Sequence, residues 1–335
     1  MPLMEDRNLK RIAWIDVAKG LLIALVVFHH FPKCTHYINP VWQFLWDVEW
    51  LYTPYFMATF FIITGYCSNF KLEFKAFILK NFKTLLVANF FMFILVKLIA
   101  VPLDGPKVLL HLTSIDIWLF HSFWFFKALF WAKVSFWAIN RFVSSRILQC
   151  VFVLLLSYAG VLLHLYDVFP DYLAHRNGLI FLFFIFVGNA IKKLVLSNKK
   201  LVCGCVLYCL LMLTLYALNS PVPFVDAENN MTFLNYPLWL LLALSGSCIV
   251  FLISKYMQNV TLLANLGMST IVTYPLSSRI MGSFLRILHN FFSFENSIFV
   301  GVVLYIFVPI LTLIICKFCY SLINTKHLKF LIGKF

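Results

Sequence analysis

The stretch DVAKGLLIALVVFHH, residues 16 to 30, is an apolar run of the kind that crosses a bilayer, yet it carries Asp16, Lys19 and the pair His29-His30. Its surroundings are of the same apolar kind. Of 335 residues, 62% are hydrophobic and 12% charged, and the mean hydropathy is +0.91. A soluble domain of that composition would have no water-compatible surface, so the sequence predicts a polytopic membrane protein. Inside lipid every backbone polar group must find a partner within its own segment or a closed barrel, and the long apolar runs predict an all-α solution.

A window of about 20 residues moved along the chain predicts ten spans, near 12-31, 51-69, 84-102, 117-138, 147-166, 178-196, 201-218, 236-256, 261-281 and 297-318. Cations collect on alternate segments. One set holds Arg7, Lys10, Arg11, Lys71, Lys75, Lys80, Lys83, Arg141, Arg146, Lys192, Lys193, Lys199, Lys200, Lys255, Lys317, Lys326, Lys329 and Lys334. The other holds Lys33, Lys107, Arg176, Arg279 and Arg286. By the positive-inside rule the first set is cytoplasmic, which predicts an even number of spans and both termini inside.

The net charge of +14 is thereby assigned to membrane orientation, and a nucleic-acid partner is excluded. The basic start followed by a long apolar run reads as a retained signal anchor. Nine cysteines lie almost all within apolar runs, with neither zinc-site spacing nor a disulfide framework, so no metal is expected. The chain reads as one membrane domain over 1-335: a cytoplasmic N-terminus at 1-11, a ten-helix bundle at 12-318 and a cytoplasmic tail at 319-335. No internal repeat is apparent, which argues against an inverted-repeat transporter.

Charges within spans are expensive and so mark function. At 100° per residue, Lys19 and His30 fall about 20° apart on the helical wheel, with Asp16 about 40° from His30 and His29 about 80° to the other side. Asp16, Lys19 and His30 share a face. Lys19 and His30 are roughly 16 Å apart along the axis, so one long ligand could meet both. The plainer alternative has Lys19 snorkelling and pairing with Asp16 at i, i+3, with His30 at the headgroups. Lys127, deep in its span, predicts a polar cavity or a partner acid. His121, roughly 9 Å nearer the outer face on that helix, reads as an interfacial histidine or else as a candidate for ligand binding or proton handling. The aromatics around it read as belt and packing residues.

Lys19-x10-His30 resembles the Arg/Lys-x10-His signature of the acyltransferase 3 family of membrane acyltransferases, above all its fucose 4-O-acetylase-like branch. Further similarities follow in family order. YFMATFFIITGY (55 to 66) is similar to F-x-M-P-L-F-F-x-x-S-G-Y, through Phe60, Phe61, Gly65 and the conservative Thr64. Lys80 and Lys83 stand where the family carries a basic pair. FWFFKALF (123 to 130), with Trp124, resembles W-F-L-x-A-L-F, FLFFIFVGNAIKK (181 to 193) resembles F-F-x-x-G-x-x-x-K, and NLGMSTIVTYPLS (265 to 277) resembles L-G-x-x-S-x-x-I-Y-x-x-H. The departures are His29 at a usual glycine, Phe56 and Ser277 at usual histidines, Ala58 at a usual proline, and lysines in place of arginines.

The resemblance implies transfer of an acetyl or other acyl group from acetyl-CoA to a sugar hydroxyl of a cell-surface or lipid-linked glycan, in a bacterial inner membrane. It implies His30 as general base or acyl carrier, and Lys19, Lys80 and Lys83 at the donor phosphates, with Asp16 paired to Lys19. The implied partners are the glycan acceptor, the acyl-CoA and the bilayer, with self-association left open. Two other readings stand beside it: a flippase for a lipid-linked glycan, using Lys127 and the basic mouth, and a catalytically silent relative.

Overall fold

A computed structural model describes residues 12–34, 39–112, 122–166, 173–192, 196–223, 232–291 and 297–334. Among the described residues all regular structure is helical. The elements are α1 (Ala13–His30), a short α2 (Pro40–Asp47), α3 (Thr53–Cys67), α4 (Phe74–Asp104), α5 (Trp124–Phe142) and α6 (Arg146–Leu165). After them come α7 (His175–Ile191), broken at Phe181, then α8 (Asn198–Ala217), α9 (Tyr236–Tyr256), α10 (Thr261–His289) and α11 (Ile298–Ile323).

Six of these, α1, α4, α6, α8, α9 and α11, are long and apolar enough to cross a membrane. The other predicted spans also fall on helices, but with different bounds. α3 is 15 residues long, α7 is a short apolar helix, and α10 continues to His289, past the predicted end. α4 begins ten residues before the predicted span, because the amphipathic KAFILKN turn joins the apolar run through a π-helical segment at Phe82–Val87. His121 lies outside the described residues.

The helices are apolar on both sides, so lipid offers little reason for them to associate, and close packing must do it. Small residues provide the contact. A Cβ at Gly20 of α1 would run into the backbone oxygen of Leu263 on α10, and one at Gly267 of α10 would meet that of Asp16 on α1. The same reciprocity joins α3 and α7, where Gly65 faces the backbone of Ile185 and Gly188 that of Ile62. Three of the motif glycines, Gly65, Gly188 and Gly267, are therefore sites of helix contact.

Polar bonds lock the remaining neighbours. Thr59 of α3 meets Ser247 of α9 at 2.8 Å, and the Trp239 indole donates to the Pro54 carbonyl at 3.1 Å. Tyr236 donates to the Ile180 carbonyl at 2.8 Å. Asn89 of α4 donates to Ser122 at 3.1 Å and accepts from the Phe123 backbone at 3.2 Å, which fixes where α5 starts. At one end of the bundle Asp104 takes both Arg279 at 2.7 Å and Arg286 at 2.6 Å.

Outward faces follow a helical stripe. On α6, Ile147, Leu148, Val151, Phe152 and Leu155 are exposed while Gln149, Val153, Ser157 and Val161 are buried. The apolar stripe points away from the protein and the more polar one into it, the arrangement expected where the surrounding medium is lipid.

Candidate active site

A cavity of about 460 Å³ opens at the C-terminal end of α1. Its wall includes His29, His30 and Lys33 from that end, Thr53, Pro54, Phe56 and Met57 from α3, and Trp124 from α5. His164 of α6, Asn177 and Phe181 of α7, Trp239 of α9 and Tyr274 of α10 complete it. The volume is that of a small-molecule site, mostly apolar with a few polar groups.

His30 is the last residue of α1, and its Nδ1 lies 2.7 Å from the Val26 carbonyl one turn back. A carbonyl can only accept, so Nδ1 carries the proton. The unprotonated lone pair of the neutral ring therefore belongs to Nε2, and the helix's own backbone holds that tautomer in place.

His29 enters the same cavity, although the wheel sets it apart from His30. The helix ends here, and the following turn (Pro32–Cys34) and the Glu49–Leu51 turn fold back on it. His29 Nδ1 lies 3.1 Å from Glu49 and 3.3 Å from the Tyr52 hydroxyl, and its Nε2 lies 3.3 Å from Lys33 Nζ. Lys33 also meets Glu49, at 3.0 Å. The two imidazoles stand perpendicular, with centroids 5.3 Å apart. Burial pushes the Glu49 carboxyl up, but the hydrogen bonds from His29 and Lys33 outweigh it and hold the group below the ordinary carboxylate range.

The other predicted residues divide. Trp124 lines the cavity. Phe60 and Phe61 are buried packing residues outside the cavity wall, Phe61 stacking on Phe181 at 4.6 Å. Thr64 gives its carbonyl to the Ser68 backbone at the end of α3. Lys127 is only 1% exposed, enclosed in protein rather than lipid, and is not part of the cavity wall.

Lys19 lies at the opposite end of α1, 3.8 Å from Asp16. Between it and His30 the shared face is filled by Ile23 and Val26, both buried. A basic group gathers at this end. Cys67 is within electrostatic reach of Lys19, Lys133 and Lys192, and Lys133 of Lys80. Lys192 also donates to the Ser68 carbonyl at 2.7 Å. Lys83 sits one turn beyond Lys80, in the π-helical segment, and is half-buried. Lys133 lies in the same predicted span as Lys127, and the cost of a charge there is the signal that could have marked it.

Two further residues of the cavity wall are His164 and Asn177. His164 Nε2 and Asn177 Oδ1 are buried without a hydrogen-bond partner. Each such atom costs about 1–3 kcal/mol, a penalty that native proteins rarely keep without a use for it.

An all-helical integral membrane protein with an imidazole cavity at one end of its first helix and clustered lysines at the other fits a membrane acyltransferase. Residues 12–321 match the acyltransferase 3 family, described as "Acyltransferase domain", and the chain belongs to that family. No curated protein and no solved structure is similar enough to the chain to count as a match. Among the described residues no group of three or more His, Cys, Asp or Glu side chains could hold a metal ion.

Proposed function

We propose that the protein is an O-acetyltransferase, moving an acetyl group from acetyl-CoA to a sugar hydroxyl of a cell-surface or lipid-linked glycan, as in the fucose 4-O-acetylase-like branch. His30 acts as general base. Its Nε2 takes the proton of the attacking hydroxyl as the oxygen adds to the thioester carbonyl, and the imidazolium returns that proton to the departing thiolate. The single observation that carries this reading is the Val26 carbonyl 2.7 Å from His30 Nδ1, which leaves the basic nitrogen free at the cavity.

The donor phosphates are assigned to the basic end, to Lys19, Lys80 and Lys83, with Asp16 balancing Lys19. Lysine gives charge without the bidentate fork of arginine, so the attraction there is that of point charges. The two ends lie roughly 16 Å apart along α1, and with Ile23 and Val26 buried between them a donor reaching both must pass beside that face and not along it. Ten spans, with both termini in the cytoplasm of a bacterial inner membrane, put the basic end beside cytoplasmic acetyl-CoA and the histidines toward the outer face. The positive-inside distribution supports this orientation.

Mass spectrometry of surface glycans from cells with and without the protein tests the reading. One acetyl unit on an identified sugar, absent without the protein, is expected. An unchanged glycan mass, or acceptor translocation without donor use, would sink it in favour of a flippase.

A further inference from the structure

Two of the lysines assigned to the donor stand at an unusual piece of backbone. Lys83 lies in the π-helical segment Phe82–Val87, and Lys80 lies two residues before it. A π-turn closes i→i+5 instead of i→i+4 and so takes in one extra residue, which at 100° per residue offsets the helix on its two sides by about 100°. Relaxed to a plain α-helix, α4 would carry Lys80 on a different face. Such turns are rare and gather at functional sites.

The neighbour that braces this segment is the turn Lys329–Ile332, beyond α11. Ile332 is 1% exposed, set in a cluster with Met92 of α4, Leu276 of α10, and Cys316 and Ile323 of α11. The Phe330 ring meets Phe91 of α4 edge-on, with centroids 5.4 Å apart. Gly333 then takes φ +71°, a left-handed conformation that glycine adopts without strain. It lies so close to the π-helical segment that a Cβ there would run into the Lys83 carbonyl oxygen and the Thr84 Cα. On the other side Lys334 donates to Asn324 at 2.8 Å and to the Tyr320 hydroxyl at 3.1 Å, tying the turn to the end of α11.

We infer that Ile332 and Gly333 are positioning residues for the acyl donor: seated against the Lys83 backbone, they hold the π-helical segment and with it the directions in which Lys80 and Lys83 point. The inference rests on the assignment of those lysines to the donor phosphates and deepens it. The cavity at His30 takes no wall residue from this turn or from α4. Disturbing the turn should therefore weaken the donor and leave the acceptor alone.

Gly333→Ala adds a Cβ at the contact, and Ile332→Ala removes the anchor. Ile323→Ala deletes the same atoms from the same cluster, but from α11. The purified proteins would be assayed for thiol release from acetyl-CoA, with the surface-glycan fraction of cells lacking the protein as acceptor and each substrate varied in turn. Thermal unfolding would be followed in parallel. Gly333→Ala and Ile332→Ala are expected to raise the KM for acetyl-CoA about tenfold, the worth of one charge-assisted contact, with kcat and the glycan KM unchanged. Ile323→Ala should lower the unfolding temperature as Ile332→Ala does, yet keep the wild-type KM for acetyl-CoA. Ile332→Val, which keeps most of the anchor, should recover most of the lost affinity. An acetyl-CoA KM unchanged in Ile332→Ala, or raised equally in Ile323→Ala, overturns the inference. Lys83→Met separates the failures: if it too leaves the acetyl-CoA KM unchanged, the donor assignment itself has failed. A wild type that releases no thiol sinks the acetyl-transfer reading and this inference with it.

Discussion

The two adjacent histidines have different partners, and that difference decides what each can do. His30 is bonded to a backbone carbonyl and keeps a free nitrogen, whereas His29 is engaged by Glu49, Tyr52 and Lys33. That His30 shares a face with Lys19 was legible from helical period; the partners of His29 were not, since Glu49 reaches it through two turns whose geometry no periodicity encodes. The Glu49 carboxyl is held below its ordinary value of 4.5, so its contribution to stability is complete above that value and is lost as pH falls through the lowered one. Glu49→Gln should therefore be less stable than wild type at pH 7, by about 1 kcal/mol for a partly exposed cluster, with the gap closing in acid. Thermal unfolding at the two pH values checks this, and an equal gap at both contradicts the assigned cluster.

At the scale of elements, stretches that resemble the family's motifs carry helix packing. Gly65 and Gly267 lie within family-like stretches, yet both occupy helix crossings, as their partners Gly188 and Gly20 do. Sequence could mark these glycines but could not say which helix each one admits. Gly267→Val should cost about 1–3 kcal/mol by overpacking and separate α1 from α10, lowering the yield of folded protein in size-exclusion chromatography. Val→Ala at the lipid-facing Val151 of α6, 46% exposed, should leave that yield nearly unchanged. A comparable loss in both variants would argue against the close crossing. The bounds of α4 were misjudged for a related reason: its first turns are amphipathic, so hydropathy excluded residues that the helix includes through the π-helical turn.

For the whole molecule, composition announced helices and lipid, and charge asymmetry suggested an orientation. The cavity was hidden because its wall is drawn from α1, α3, α5, α6, α7, α9 and α10 together. The proposed topology requires both chain ends on one side, so a reporter active only in the cytoplasm should give signal when fused to either terminus; signal from one alone would reject it. The central claim is that one imidazole at the end of α1 performs the transfer. Thiol release from acetyl-CoA, measured on purified, correctly inserted His30→Ala beside wild type with the glycan fraction as acceptor, tests it most directly. A drop of at least a hundredfold with unfolding temperature preserved is predicted, and release at the wild-type rate would contradict it.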